Sequence, residues 1–92
     1  MDAALKIPVI DARATGENIN RMRKARGLST AEMQDILGFT NRNAIYKWFR
    51  GVNLPTLDNL VILAALFDVT VSDIIVVSKE VRFAAKDRKN GV

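Results

Sequence analysis

The sequence predicts an all-α domain of five short helices, with an extended N-terminal arm and a basic C-terminal tail. Three observations carry that expectation. Apolar residues recur at i, i+3 and i+4 in separate short windows, Met33-Ile36-Leu37 and Ile45-Trp48-Phe49 among them, which is the spacing of one helical face. Residues suited to capping, Thr15, Ser29, Thr40, Asn41, Thr56 and Thr70, stand ahead of the helical windows. Gly27, Gly38 and Gly51 stand where three of the windows end, and glycine closes a helix at little conformational cost. With 92 residues and 49% apolar content, the chain is of a size and composition to fold as one domain.

Residues 1–14 read as the arm. Ile7-Pro8-Val9-Ile10 is extended by preference, because Pro8 disfavours the α region at Ile7. The sequence does not choose between a short strand lying on the body and a free segment. Thr15 is expected to cap helix 1, Gly16 to Arg26, with Ile19 and Met22 inward and Leu28 closing that face. Helix 2 follows Ser29, which forms a capping box with Glu32. After Gly38, Phe39 plugs the turn and Thr40 or Asn41 caps helix 3, at about residues 41–50. Pro55 interrupts the chain before helix 4, which Thr56 caps and whose inward stripe is Leu57, Leu60, Leu63, Ala64 and Phe67. Helix 5 begins at Thr70 or Ser72, with Ile74 and Ile75 on the core. The body thus spans 15–77 and the tail 78–92. Residues 76–85 mix β-branched and charged side chains and fit helix, strand or tail, while 84–92 should be disordered.

Composition narrows the chemistry. With no Cys and no His, disulfides, thiolate metal sites and imidazole catalysis are excluded. No set of carboxylates converges, so neither an enzyme nor a cofactor is expected. The apolar run Leu60 to Phe67 is too short to span a bilayer, no signal peptide precedes the body, and a cytoplasmic protein is expected. The net charge is +4, yet residues 51–78 contain no Lys or Arg. Positive charge gathers on the first helices and the tail, which suits a polyanionic partner.

Helix 3 carries its apolar anchors on one side and Arg42, Asn43, Tyr46, Lys47 and Arg50 on the other. Long basic and amide side chains on one helical face match the donors and acceptors of the DNA major groove, Arg and Lys suiting guanine and Asn suiting adenine. Thr30, at the start of helix 2, and Asn53, in the loop before Pro55, are placed to hold backbone phosphates.

Over Thr15 to Val77 the chain resembles the lambda-repressor-like (XRE, Cro-type) helix-turn-helix family. The words GLSTAEMQDILGF, AIYKWFRG, LPTLDNL and ALFDVTVSDII carry the resemblance by their order and spacing. It implies a compact five-helix DNA-binding domain whose third helix enters the major groove, working as a homodimer on a pseudo-palindromic operator. On that basis the DNA-binding set is Thr30, Asn41, Arg42, Asn43, Tyr46, Lys47, Arg50 and Asn53. Two features depart from the family pattern. Thr30 stands where members usually carry Gln, and the turn from Gly38 to Ile45 is one residue longer than the common form.

Ile62 and Leu66 are apolar where members tend to be polar or small. With Val71, Ile75 and Val77 they read either as an exposed patch, serving as a dimer seam or partner site, or as a wider core stripe under the arm or tail. The expected function is a sequence-specific transcriptional regulator acting as a repressor. The alternative is a protein-interaction module, such as an antitoxin or adaptor, using the helix 4/5 face.

Overall fold

In a computed structural model, which describes residues 4–84, the first helix starts earlier than the sequence suggests. Helix α1 runs Ala12–Ala25, and its cap is Asp11, whose side chain accepts the Ala14 N–H at 2.9 Å. Thr15 and Gly16 therefore lie inside the helix and are buried. The assignment of Thr15 as a cap is corrected by a distant partner: its Oγ1 accepts the backbone N–H of Val76 at 2.9 Å. Asp11 N–H donates in turn to the Val76 carbonyl at 2.8 Å. These two bonds fix the base of a two-stranded ribbon.

The ribbon pairs β1 (Ala4–Ile10) with β2 (Val77–Ala84), antiparallel. Ile10 faces Val77, Pro8 faces Lys79 and Lys6 faces Val81, with an irregularity between Leu5 and Lys6. Pro8 is tolerated because each strand of such a pair has an open edge needing no donor. Of the undecided segment 76–85, Val77 to Ala84 is strand. Ala12–Ala14, assigned to the arm, belong to α1, and the rest of the arm, where described, pairs with the first half of the tail. The expectation of disorder for 84–92 falls, beyond Ala84, outside the described residues, as does the conformation of residues 1–3.

The five expected helices are all present: α1, then α2 (Thr30–Leu37), α3 (Asn43–Phe49), α4 (Leu57–Phe67) and the single turn α5 (Val71–Ile74). Their core is Ile19, Met33, Ile45, Trp48, Leu60, Leu63, Ala64, Phe67 and Ile74. Two expected core residues are exposed instead: Ile36 at 48% and Leu57 at 79%. At 100° per residue, Leu57 points roughly 70° away from the mean direction of the other four stripe residues, and Ile36 about 80° from the Met33–Leu37 direction. Both are flank positions that helical spacing alone overcounts.

Two contacts set the spacing of the helices. A Cβ at Gly16 would lie 1.7 Å from the Trp48 carbonyl oxygen, so α1 and α3 touch backbone to backbone there. Asn18, buried in α1, donates from Nδ2 to the carbonyls of Asp73 and Ile74, both at 2.9 Å, and so ties α1 to α5. At α5, Thr70 and Asp73 form a second capping box.

Candidate nucleic-acid interface

Helix α2 is started by the Ser29–Glu32 capping box: Ser29 Oγ accepts the Glu32 N–H at 3.0 Å, and Glu32 Oε1 accepts the Ser29 N–H at 2.8 Å. The bond from the Ser29 backbone, followed by that from its hydroxyl, holds the Glu32 carboxyl below its ordinary 4.5. Gly38, at φ 73°, ends the helix in the left-handed region. Phe39 then turns inward, its ring meeting Trp48 edge-on at 5.8 Å. Asn41 closes the turn, its Oδ1 accepting the Asn43 N–H at 2.9 Å. Asn41 thus spends its side-chain oxygen on the start of α3.

Helix α3 is held by Ile45, fully buried, and Trp48, 3% exposed. Phe49 is half-buried beneath the Arg23 guanidinium, 5.6 Å from the ring centre, and meets Tyr46 edge-on at 6.2 Å. Asn43, Tyr46, Lys47 and Arg50 are exposed on the other side, within roughly 100° of arc at the α-helical repeat. Arg42 is also exposed but precedes the helix, with φ −101° and ψ 8°. Its side chain lies toward α2, where Nε donates to Gln34 Oε1 at 3.1 Å.

Thr30 and Tyr46 are brought together across the two helices, Thr30 Oγ1 standing 3.5 Å from the Tyr46 hydroxyl. That contact, and after it the nearby Arg42, lowers the Tyr46 pKa from its ordinary 10.0. Asn53 sits exposed in the α3–α4 loop.

Sequence reasoning missed Gln34. Its Nε2 donates to the Phe39 carbonyl at 3.2 Å while its Oε1 accepts from Arg42, so one side chain braces both the turn and a candidate DNA contact. The available signal was a Gln five residues before the turn's first aromatic, long enough to reach its backbone.

On the α4/α5 side, Leu66, Val71 and Ile75 are half-buried against the core, Ile62 is 37% exposed, and Val77 is 51% exposed at the ribbon base. The more exposed apolar residues are Val52, Leu57 and Val61, at 60%, 79% and 62%. Among the described residues no group of His, Cys, Asp or Glu is arranged to hold a metal ion, and no helix is long and apolar enough to cross a membrane.

Residues 19–74, from the middle of α1 to the end of α5, match a protein-family model described as Helix-turn-helix. The chain belongs to the lambda-repressor-like helix-turn-helix DNA-binding family. Several solved structures share the fold of this family member. One is the restriction-modification controller protein C.AhdI from Aeromonas hydrophila, 25% identical with a TM-score of 0.62 over 70% of this chain and 96% of that one. The S. venezulae BldD DNA-binding domain is 21% identical with a TM-score of 0.60, covering 72% and 97%. A transcriptional regulator from Listeria innocua is 20% identical with a TM-score of 0.62, covering 82% and 69%. No curated protein matches the chain in sequence.

Proposed function

We propose that this family member is a sequence-specific DNA-binding transcriptional regulator, acting as a repressor, that places α3 in the major groove. The observation that carries the reading is the array of Asn43, Tyr46, Lys47 and Arg50, with Arg42 at its edge, exposed opposite the buried Ile45 and Trp48. Burial of the anchors fixes the rotation of α3, so the polar array is presented without rearrangement. Lys47 and Arg42 suit guanine and Asn43 suits adenine. Tyr46 and Arg50 border the groove, and Thr30 and Asn53 meet the phosphates on either side. Asn41 contributes mainly by starting α3. The C.AhdI controller protein, the BldD domain and the Listeria regulator lend support through their shared fold.

A pseudo-palindromic double-stranded operator requires a two-fold protein, so the regulator works as a homodimer. The surface for it lies on the α4/α5 side, with Ile62 and Val77 as its exposed members and Leu66, Val71 and Ile75 supporting them from the core edge. The test is selection from a random duplex pool at near-physiological salt. Enrichment of a two-fold-related site is expected. Binding that fades with salt irrespective of sequence would reflect phosphate electrostatics alone and would sink the reading.

A second reading is favoured by one observation. Val52, Leu57 and Val61 expose apolar side chains around the start of α4, which suits a protein-interaction module such as an antitoxin or adaptor. A chain that selects no site but binds a protein through this face is the outcome that reading expects.

A further inference from the structure

We infer that Gln34, on the helix that does not read DNA, is a positioning residue that aims Arg42 at a guanine in the major groove. The inference deepens the proposed function and rests on it. Three geometric facts carry it. Arg42 lies ahead of α3 in a non-helical conformation, so the helix backbone does not aim its side chain as it aims Lys47. The Gln34 amide is oriented at both ends: Nε2 donates to the Phe39 carbonyl at 3.2 Å, which turns Oε1 toward Arg42 Nε at 3.1 Å. That bond consumes the Nε–H and with it the side-on mode of recognition, which uses Nε together with one Nη.

What remains is the end-on fork of Nη1 and Nη2. Its planar pair of donors fits the O6 and N7 acceptors of guanine, and no other base edge in the groove presents two such acceptors. The Tyr46 hydroxyl meets Thr30 across the same helix pair, 3.5 Å from its Oγ1. Gln34 spans the turn that follows Gly38, joined to the Phe39 carbonyl at one end and to Arg42 at the other. Guanine preference at one symmetric pair of operator positions therefore depends on a side chain that does not touch the DNA.

The test uses the whole chain and the selected operator. Arg42→Ala identifies the position that Arg42 reads. Gln34→Met, which keeps the length and removes both hydrogen bonds, should reduce the guanine preference at that same position by about tenfold, the scale of one bidentate contact. Other positions should be unchanged; loss of the bond to the Phe39 carbonyl lowers the melting temperature without altering which bases are preferred. Gln34→Glu keeps an acceptor for Nε and should retain the preference. In an Arg42→Lys background, Gln34→Met should have no further effect, because the fork is already gone; this arm stands even if the single variant loses stability. A wild-type protein that selects no site overturns the DNA-reading function and the inference together. A selective wild type whose Gln34→Met variant keeps its guanine preference, weakens all positions equally, or loses affinity additively with Arg42→Lys overturns the inference alone.

Discussion

Replacing Gly16 by alanine should separate α1 from α3 and lower stability by forcing two backbones apart. The added Cβ would lie 1.7 Å from the Trp48 carbonyl oxygen and 2.8 Å from its carbon. Ordinary contact begins near 3.4 Å, so a gap of about 1.7 Å must open. The obstructing atoms are backbone in the last turn of α3, and the same Trp48 oxygen already accepts the Gly51 N–H at 3.0 Å. No side chain can rotate away, so the helices themselves must part. Overpacking of a core costs about 1–3 kcal/mol when neighbours can shift, and a rigid obstacle puts this site at or above the top of that range. The helix-propensity gain of alanine over glycine offsets about 1 kcal/mol. The net loss is then about 2–3 kcal/mol, or roughly 10–20 °C in melting temperature for a domain of this size. Thermal unfolding followed by circular dichroism is the assay. Gly38→Ala is the comparison: nothing lies within 4 Å of its Cβ position, but φ is +73°, so it should cost about 1–2 kcal/mol by backbone strain alone. A Gly16→Ala variant melting within about 2 °C of the parent would refute the backbone-contact argument.

Three further outcomes follow from other parts of the structure. Asn18→Leu leaves the carbonyls of Asp73 and Ile74 without their donor, and should cost about 1–3 kcal/mol in urea unfolding, with α5 amides losing exchange protection first; unchanged α5 exchange would contradict this. Glu32 and Asp73 both have pKa values lowered by capping-box bonds, the largest from the backbone N–H of Ser29 and Thr70. Their stabilising share is whole above the ordinary values of 4.5 and 3.8 and is lost as pH falls through the lowered folded values. Glu32→Ala should therefore be less stable than the parent at neutral pH and converge on it in acid, and a difference independent of pH would show that the carboxylate charge is not involved. Lys47→Ala should relax preference at one or two operator positions; a uniform loss with a shallower salt dependence would make Lys47 a phosphate contact instead.

Much of the helix pair was legible because its determinants are local. The Ser29–Glu32 capping box and the buried Ile45 and Trp48 follow from spacings of three residues on one helical face, and the left-handed stop at Gly38 from glycine's tolerance of positive φ. The exposure of Asn43, Tyr46, Lys47 and Arg50 follows once those anchors are placed. Periodicity misled at Leu57 and Ile36, since both fit the spacing yet sit on the flank of their stripes.

By itself, then, the sequence determined the five helices, the buried side of α3 and the family to which the chain belongs. Tertiary structure decided where α1 begins, since Thr15 and Asp11 are both competent caps and the choice turned on Val76, 61 residues beyond Thr15. It also decided the pairing of the arm with residues 77–84, the backbone contact at Gly16, and the brace that Gln34 provides for Arg42. Each of these joins groups that no helical repeat brings together. Their partners are set only when separate elements meet, and a polar side chain with several possible partners takes the one that the assembled fold puts within reach.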